Sequence, residues 1–114
     1  MNRLIINPRA DADIDAEALF ITEQFGAQRG DRFYDACETA FNNLLNYPQI
    51  GRVRQFVNIP AELRQWQVKG FSDYLIFYRL LNDNLSLTIE VLRVIHGARD
   101  LVALFQDEFD RGTE

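Results

Sequence analysis

Between Trp66 and Asp100 the chain carries three runs rich in aromatic and β-branched residues. The first is Trp66-Gln67-Val68-Lys69-Gly70-Phe71 and the second Tyr74-Leu75-Ile76-Phe77-Tyr78-Arg79. The third spans Leu87 to Asp100, and polar turn signals separate the runs. That is the pattern of an antiparallel meander. Asp83-Asn84 tolerates positive φ and predicts a tight hairpin between the second and third runs. The second run constrains the fold most. Tyr74, Ile76, Tyr78 and Leu80 alternate with Leu75, Phe77 and Leu81, so the strand is apolar on both faces and needs cover on both sides.

The rest of the chain supplies that cover. Arg3 to Asn7 reads as a short first strand, ended by Pro8, which has no N–H for a ladder. Asp11, Asp13 and Asp15 then crowd the start of a helix, where carboxylates meet the positive end of its dipole. Ile14, Ala18, Ile21 and Phe25 share one face of that helix, and Gly26 is a natural terminator. A second helix over about Gln28 to Tyr47 repeats the spacing with Phe33, Cys37, Ala40, Leu44 and Tyr47, widened by Phe41 and Leu45. The short break at Gly26 makes the pair an antiparallel hairpin. Residues 48–61, with Pro48, Gly51, Asn58 and Pro60, read as a long loop, and loops of that length are often functional. Leu101 to Phe109 reads as a short amphipathic helix.

The expected architecture is therefore one α+β domain over residues 1–114: a strand, a helical hairpin packed on a small antiparallel sheet, and a short C-terminal helix. In the last strand Leu87, Ile89 and Val91 share one face, while Leu92 and Val94 sit on the other. Either this end is buried on both sides, or a bulge near Val91-Leu92 shifts the register.

Composition narrows the function. Net charge is −5 over 114 residues. Residues 1–48 hold four Arg against eight acids (net −4). Residues 49–99 hold six Arg and one Lys against four acids (net +3). Residues 100–114 hold one Arg against five acids (net −4). Such a chain is not drawn to nucleic acid as a whole, since phosphate affinity needs a basic surface. Only the meander offers one. Arg outnumbers Lys eleven to one, which favours bidentate contacts over a diffuse field. A single cysteine, no leader-like apolar run and no membrane-length segment fit a cytoplasmic protein.

Little in the chain points to catalysis. His96 is the one histidine, with no evident partner. Cys37 falls on a core stripe. The residues have no metal-ligand spacing and no phosphate loop, so no cofactor is expected. Arg64, Arg79 and Arg93 lie on different parts of the meander, with Arg52, Arg54 and Arg99 at its edges. Either they converge to bind phosphate or an acidic peptide, or each makes a separate salt bridge.

Tyr74-Leu75-Ile76-Phe77-Tyr78-Arg79 followed by Arg93-Val94-Ile95-His96-Gly97-Ala98-Arg99-Asp100 resembles the closing motif of the ParE toxins, within the RelE/ParE superfamily of bacterial toxin–antitoxin systems. The likeness extends through Tyr47-Pro48-Gln49-Ile50-Gly51-Arg52 to Asn7-Pro8-Arg9-Ala10. It implies a toxin of a plasmid-stabilisation type that binds DNA gyrase, stops replication and needs no catalytic residue. It implies a ParD-like antitoxin whose disordered C-terminal part folds onto the helical hairpin and the sheet as a hetero-oligomer. RelE-type relatives instead cut mRNA on the ribosome; Arg64, Arg79, Arg93 and His96 would then be the catalytic set. An inactive, antitoxin-binding relative is the third reading. Acidity weighs against cutting a polyanion. The thinly covered side of the sheet predicts a partner groove around Tyr74, Ile76, Tyr78, Leu101, Phe105 and Phe109, rimmed by Arg64, Arg79 and Arg93.

Overall fold

The computed structural model describes residues 2–56, 59, 62–98 and 101–112; in the last helix side chains are described as far as Gln106. Asn58, Pro60, Arg99 and the Phe109 side chain lie outside the described residues. The chain runs β1 (Asn2–Ile6), α1 (Pro8–Phe25), α2 (Ala27–Asn46), β2 (Arg52–Arg54), β3 (Leu63–Val68), β4 (Phe71–Asp83), β5 (Ser86–His96) and α3 (Leu101–Gly112). The five strands form one sheet in the order β1-β5-β4-β3-β2. Among the described residues no helix is long and apolar enough to cross a membrane.

The local signals act where the sequence places them. Asn7 caps α1, its side-chain oxygen accepting the Arg9 N–H at 2.9 Å, and Pro8 occupies the first helical position. Proline suits that position because its missing N–H would have no helical partner. Gly26 separates the two helices at φ +99°, in a region that side chains with a Cβ avoid. Its N–H closes α1 on the Thr22 carbonyl at 2.9 Å.

The sheet is antiparallel except at β1, which pairs with β5 in parallel. A parallel neighbour cannot be reached by a tight turn: the helical hairpin carries the chain from β1 at one edge of the sheet to β2 at the other, and β3 and β4 then lead back to β5 beside β1. A second departure is β2, which lies inside the expected loop and pairs with β3 at Val53↔Arg64. Three residues with two arginines carry too weak a pattern to read as a strand. The β4–β5 hairpin turns at Asn84-Leu85, one residue later than expected, with Asn84 at φ +30°.

Both alternatives for β5 hold together. Phe77 pairs with Arg93 and Tyr78 with Val91, so Leu92 is an inserted residue. Leu92 joins one core, while Val91 and Val94 join the other.

Those two cores cover the two faces of β4. On the hairpin side Ile14, Ala18, Phe33, Cys37 and Leu44 pack on Tyr74, Ile76, Tyr78 and Val91. On the other side Phe105 of α3 packs on Phe77, Leu75, Ile95 and Leu63, with Phe56 alongside. Phe25 and Tyr47 depart from their stripes, at 69% and 66% exposed. Phe25 is the last residue of α1 and Tyr47 the C-cap of α2, so neither has a following turn to hold it to the sheet.

Candidate partner-binding surface

The three arginines of the meander do not converge. Arg93 on β5 grips Asp13 of α1 through two hydrogen bonds, Nε to Oδ2 at 2.7 Å and Nη2 to Oδ1 at 3.0 Å. Arg79 on β4 reaches across to Glu90 on β5, Nε to Oε1 at 2.6 Å. Arg64 on β3 donates to the carbonyls of Gln49 and Gly51 at 3.1 and 2.9 Å and lies 3.9 Å from Glu62. Each guanidinium therefore fixes a different piece of the fold. Arg54 bonds the Gln65 side chain and lies 5.0 Å above the Phe56 ring.

His96 and Tyr74 do meet. They are a cross-strand pair with ring centroids 5.3 Å apart, nearly perpendicular. The His96 Nδ1 accepts the Ala98 N–H at 3.1 Å. That bond places the neutral ring's proton on Nε2.

The expected groove on the α3 side is filled. Phe105 is fully buried, its ring 4.9 Å from Phe77 and 5.5 Å from Phe56. Leu101 and Leu104 pack against the same cluster. Ile76 and Tyr78 are fully buried under the helical hairpin. Ile76, Tyr78 and Phe105 are thus enclosed in the closed fold. The reading of a thin side underrated the segment before β3, where Phe56 and Ile59 complete the cover that α3 begins.

The open groove lies elsewhere. A cavity of about 590 Å³ runs between α2 and the strands β2 and β3. Its α2 wall is Ala36, Thr39, Ala40 and Asn43; its sheet side includes Trp66, Gln65 and Gln67, with Ile50, Arg52 and Lys69 around it. The volume lies within the range of ordinary binding clefts. The short side chains of α2 there fill little of the space beside Trp66. The signal was present in the sequence: positions 36, 39, 40 and 43 follow helical spacing, yet carry only small side chains.

The loop entering β2 is pinned from below. The Tyr78 hydroxyl donates to the Pro48 carbonyl at 2.8 Å and accepts the Gly51 N–H at 2.9 Å. Burial pushes the Tyr78 phenol above its usual pKa, opposed by the Gly51 bond and the nearby Arg64 charge. On the helices, the hydrogen bond to Asp15 raises the Tyr34 phenol, with its oxygens 2.7 Å apart. Cys37 is pushed up to about 12 by burial, which makes it an inert core thiol. Among the described residues no group of three His, Cys, Asp or Glu side chains is placed to hold a metal.

Comparison with known proteins agrees with this architecture. A chain of the chromosomal ParDE TA system from P. aeruginosa superposes with a TM-score of 0.66 at 17% identity, over 84% of this chain and 95% of that one. At that identity the likeness is one of fold. No curated protein matches the sequence. The family described as ParE toxin of type II toxin-antitoxin system, parDE, matches residues 4–101. The chain belongs to the ParE toxin family of type II toxin–antitoxin systems.

Proposed function

We propose that this toxin acts in the cytoplasm by binding and inhibiting DNA gyrase, and that a ParD-like antitoxin neutralises it in a hetero-oligomer. The observation that carries the reading is the dispersal of Arg64, Arg79 and Arg93. An mRNA-cutting site needs cationic groups gathered on one scissile phosphate. Here each of the three holds its own fold contact, to backbone carbonyls, to Glu90 and to Asp13. The net charge of −5 supports the same choice, and direct DNA binding by the toxin alone is not expected.

The antitoxin's place is the groove between α2 and β3. Its apolar walls suit one face of an amphipathic segment, and Arg52 and Lys69 suit carboxylates on the other. Such a segment is disordered alone and folds as it docks.

Induced expression in bacteria, scored separately for DNA and protein synthesis, tests the proposal. Replication should stop first, with translation continuing. Early translational arrest with cut mRNA would move the assignment to the ribosome.

A further inference from the structure

The outer side of α1 combines carboxylates with large apolar side chains. Two rows of exposed residues run along it: Asp11, Asp15, Leu19 and Glu23, then Ala12, Ala16, Phe20 and Gln24. Leu19 is 60% exposed and Phe20 51%. No Lys or Arg follows Arg9 in this helix. Phe20 also lines a cavity of about 380 Å³ with Phe25, Phe71, Tyr74 and His96, where Arg29 lies 4.6 Å above the Phe71 ring and Asp73 adds a carboxylate. A helix that leaves such side chains in water beside an aromatic-walled hollow has the form of an interaction surface.

Charge selects the occupant. A second copy docked through the same face would set one acidic row against another, which repels. The groove assigned to the antitoxin is built from α2, β2, β3 and their neighbouring loops, and it shares no residue with this face. We propose that the outer face of α1 docks the toxin's target, through a target surface that is basic and inserts an apolar side chain into the hollow beside Phe20. This rests on the gyrase reading above and adds to it the surface and the chemistry of its partner.

The test is inhibition of purified gyrase by the full chain in a supercoiling assay. Two variants probe the face, Leu19→Ser with Phe20→Ser, and Asp11→Asn with Glu23→Gln. Leu85→Ser at the β4–β5 turn, 94% exposed, is the control. All five side chains are exposed, and thermal unfolding checks that the fold persists; if the apolar pair lowers the melting temperature, the charge pair carries the test. The half-inhibitory concentration should rise at least ~10-fold for the apolar pair. It should rise ~3-fold for the charge pair, with a weaker dependence on salt than wild type. The control should match wild type. A charge pair that inhibits like wild type at every salt concentration would overturn the basic character of the partner. If wild type inhibits and both α1 variants match it, the docking face is wrong and the gyrase reading stands. If wild type has no effect on gyrase, both fall.

Discussion

Asp13 on α1 clamps Arg93 on β5 with both carboxylate oxygens, and its Oδ2 also accepts the Val94 N–H at 3.0 Å. The three bonds lie next to the inserted Leu92, so one carboxylate ties the first helix to the irregular point of the sheet. The Arg93 side chain is only 6% exposed. Removing the carboxylate would leave a buried cation and a strand N–H to find other partners. Asp13→Asn should therefore destabilise the fold by about 3 kcal/mol in urea unfolding. Replacing both partners with apolar residues, Asp13→Leu with Arg93→Met, should recover most of that loss. With Asp13→Leu and Arg93→Met also made singly, additive losses in that double-mutant cycle would show that the two side chains act independently.

Tyr78 and Gly51 form a second such joint. A Cβ on Gly51 would sit 2.5 Å from the Tyr78 hydroxyl oxygen, so only glycine fits above the phenol. Tyr78→Phe should cost about 1–3 kcal/mol, because it leaves the Gly51 N–H and the Pro48 carbonyl short of a buried partner. Gly51→Ala should cause a similar loss by lifting the loop. Hydrogen exchange at Gly51 is the local readout, and it should quicken in Tyr78→Phe even where β4 stays protected.

Cys37 gives a signed pH dependence. Its folded pKa, about 12, stands above the ordinary thiol value of 9.0. The folded state then holds its proton where the unfolded state has lost it. This contribution is fully present below about pH 9 and is lost as pH rises toward 12, at up to about 1.4 kcal/mol per pH unit. Tyr78, also raised, adds the same sign at higher pH. Between pH 9 and 10 the Cys37→Ala variant should lose less stability than wild type. The native thiol should also resist alkylation at pH 8 until denaturant is added.

Much of this fold was legible in the sequence because periodicity reports burial. The two-sided apolar run at Tyr74 to Tyr78 demanded two covering layers, and both exist. The conflict of faces at Val91-Leu92 left two-sided burial and a bulge open, and the strand has both. The candidate site was less legible. Burial of Phe105 against Phe56 and Phe77 depends on how far α3 and the segment before β3 close over the sheet, which periodicity cannot measure. Asp13 looked like a helix-start acid, since nothing in residues 11–15 shows a partner eighty positions away. The α2 groove was overlooked because small residues on a helical stripe read as close packing.

The groove assignment predicts a clean separation. Thr39 is exposed on the groove wall, so Thr39→Trp should fill the cavity, leave the unfolding midpoint near wild type and weaken binding of a ParD-like antitoxin by at least ~10-fold. Phe105→Ala should behave differently. It empties a packed aromatic site and should cost about 3–5 kcal/mol of stability, so any loss of binding there follows unfolding. Calorimetry beside unfolding curves separates the two effects. Full antitoxin affinity in the folded Thr39 variant would remove the groove from the interface.

Under the proposed function the toxin acts by occupying gyrase rather than by cutting RNA. The most direct measurement pairs two assays on one preparation of the purified protein: gyrase supercoiling of a relaxed plasmid, and primer extension on mRNA bound to translating ribosomes. Supercoiling should fall in proportion to toxin and be restored by antitoxin, with the mRNA intact. Codon-positioned cuts in the mRNA with supercoiling unaffected would contradict the gyrase reading.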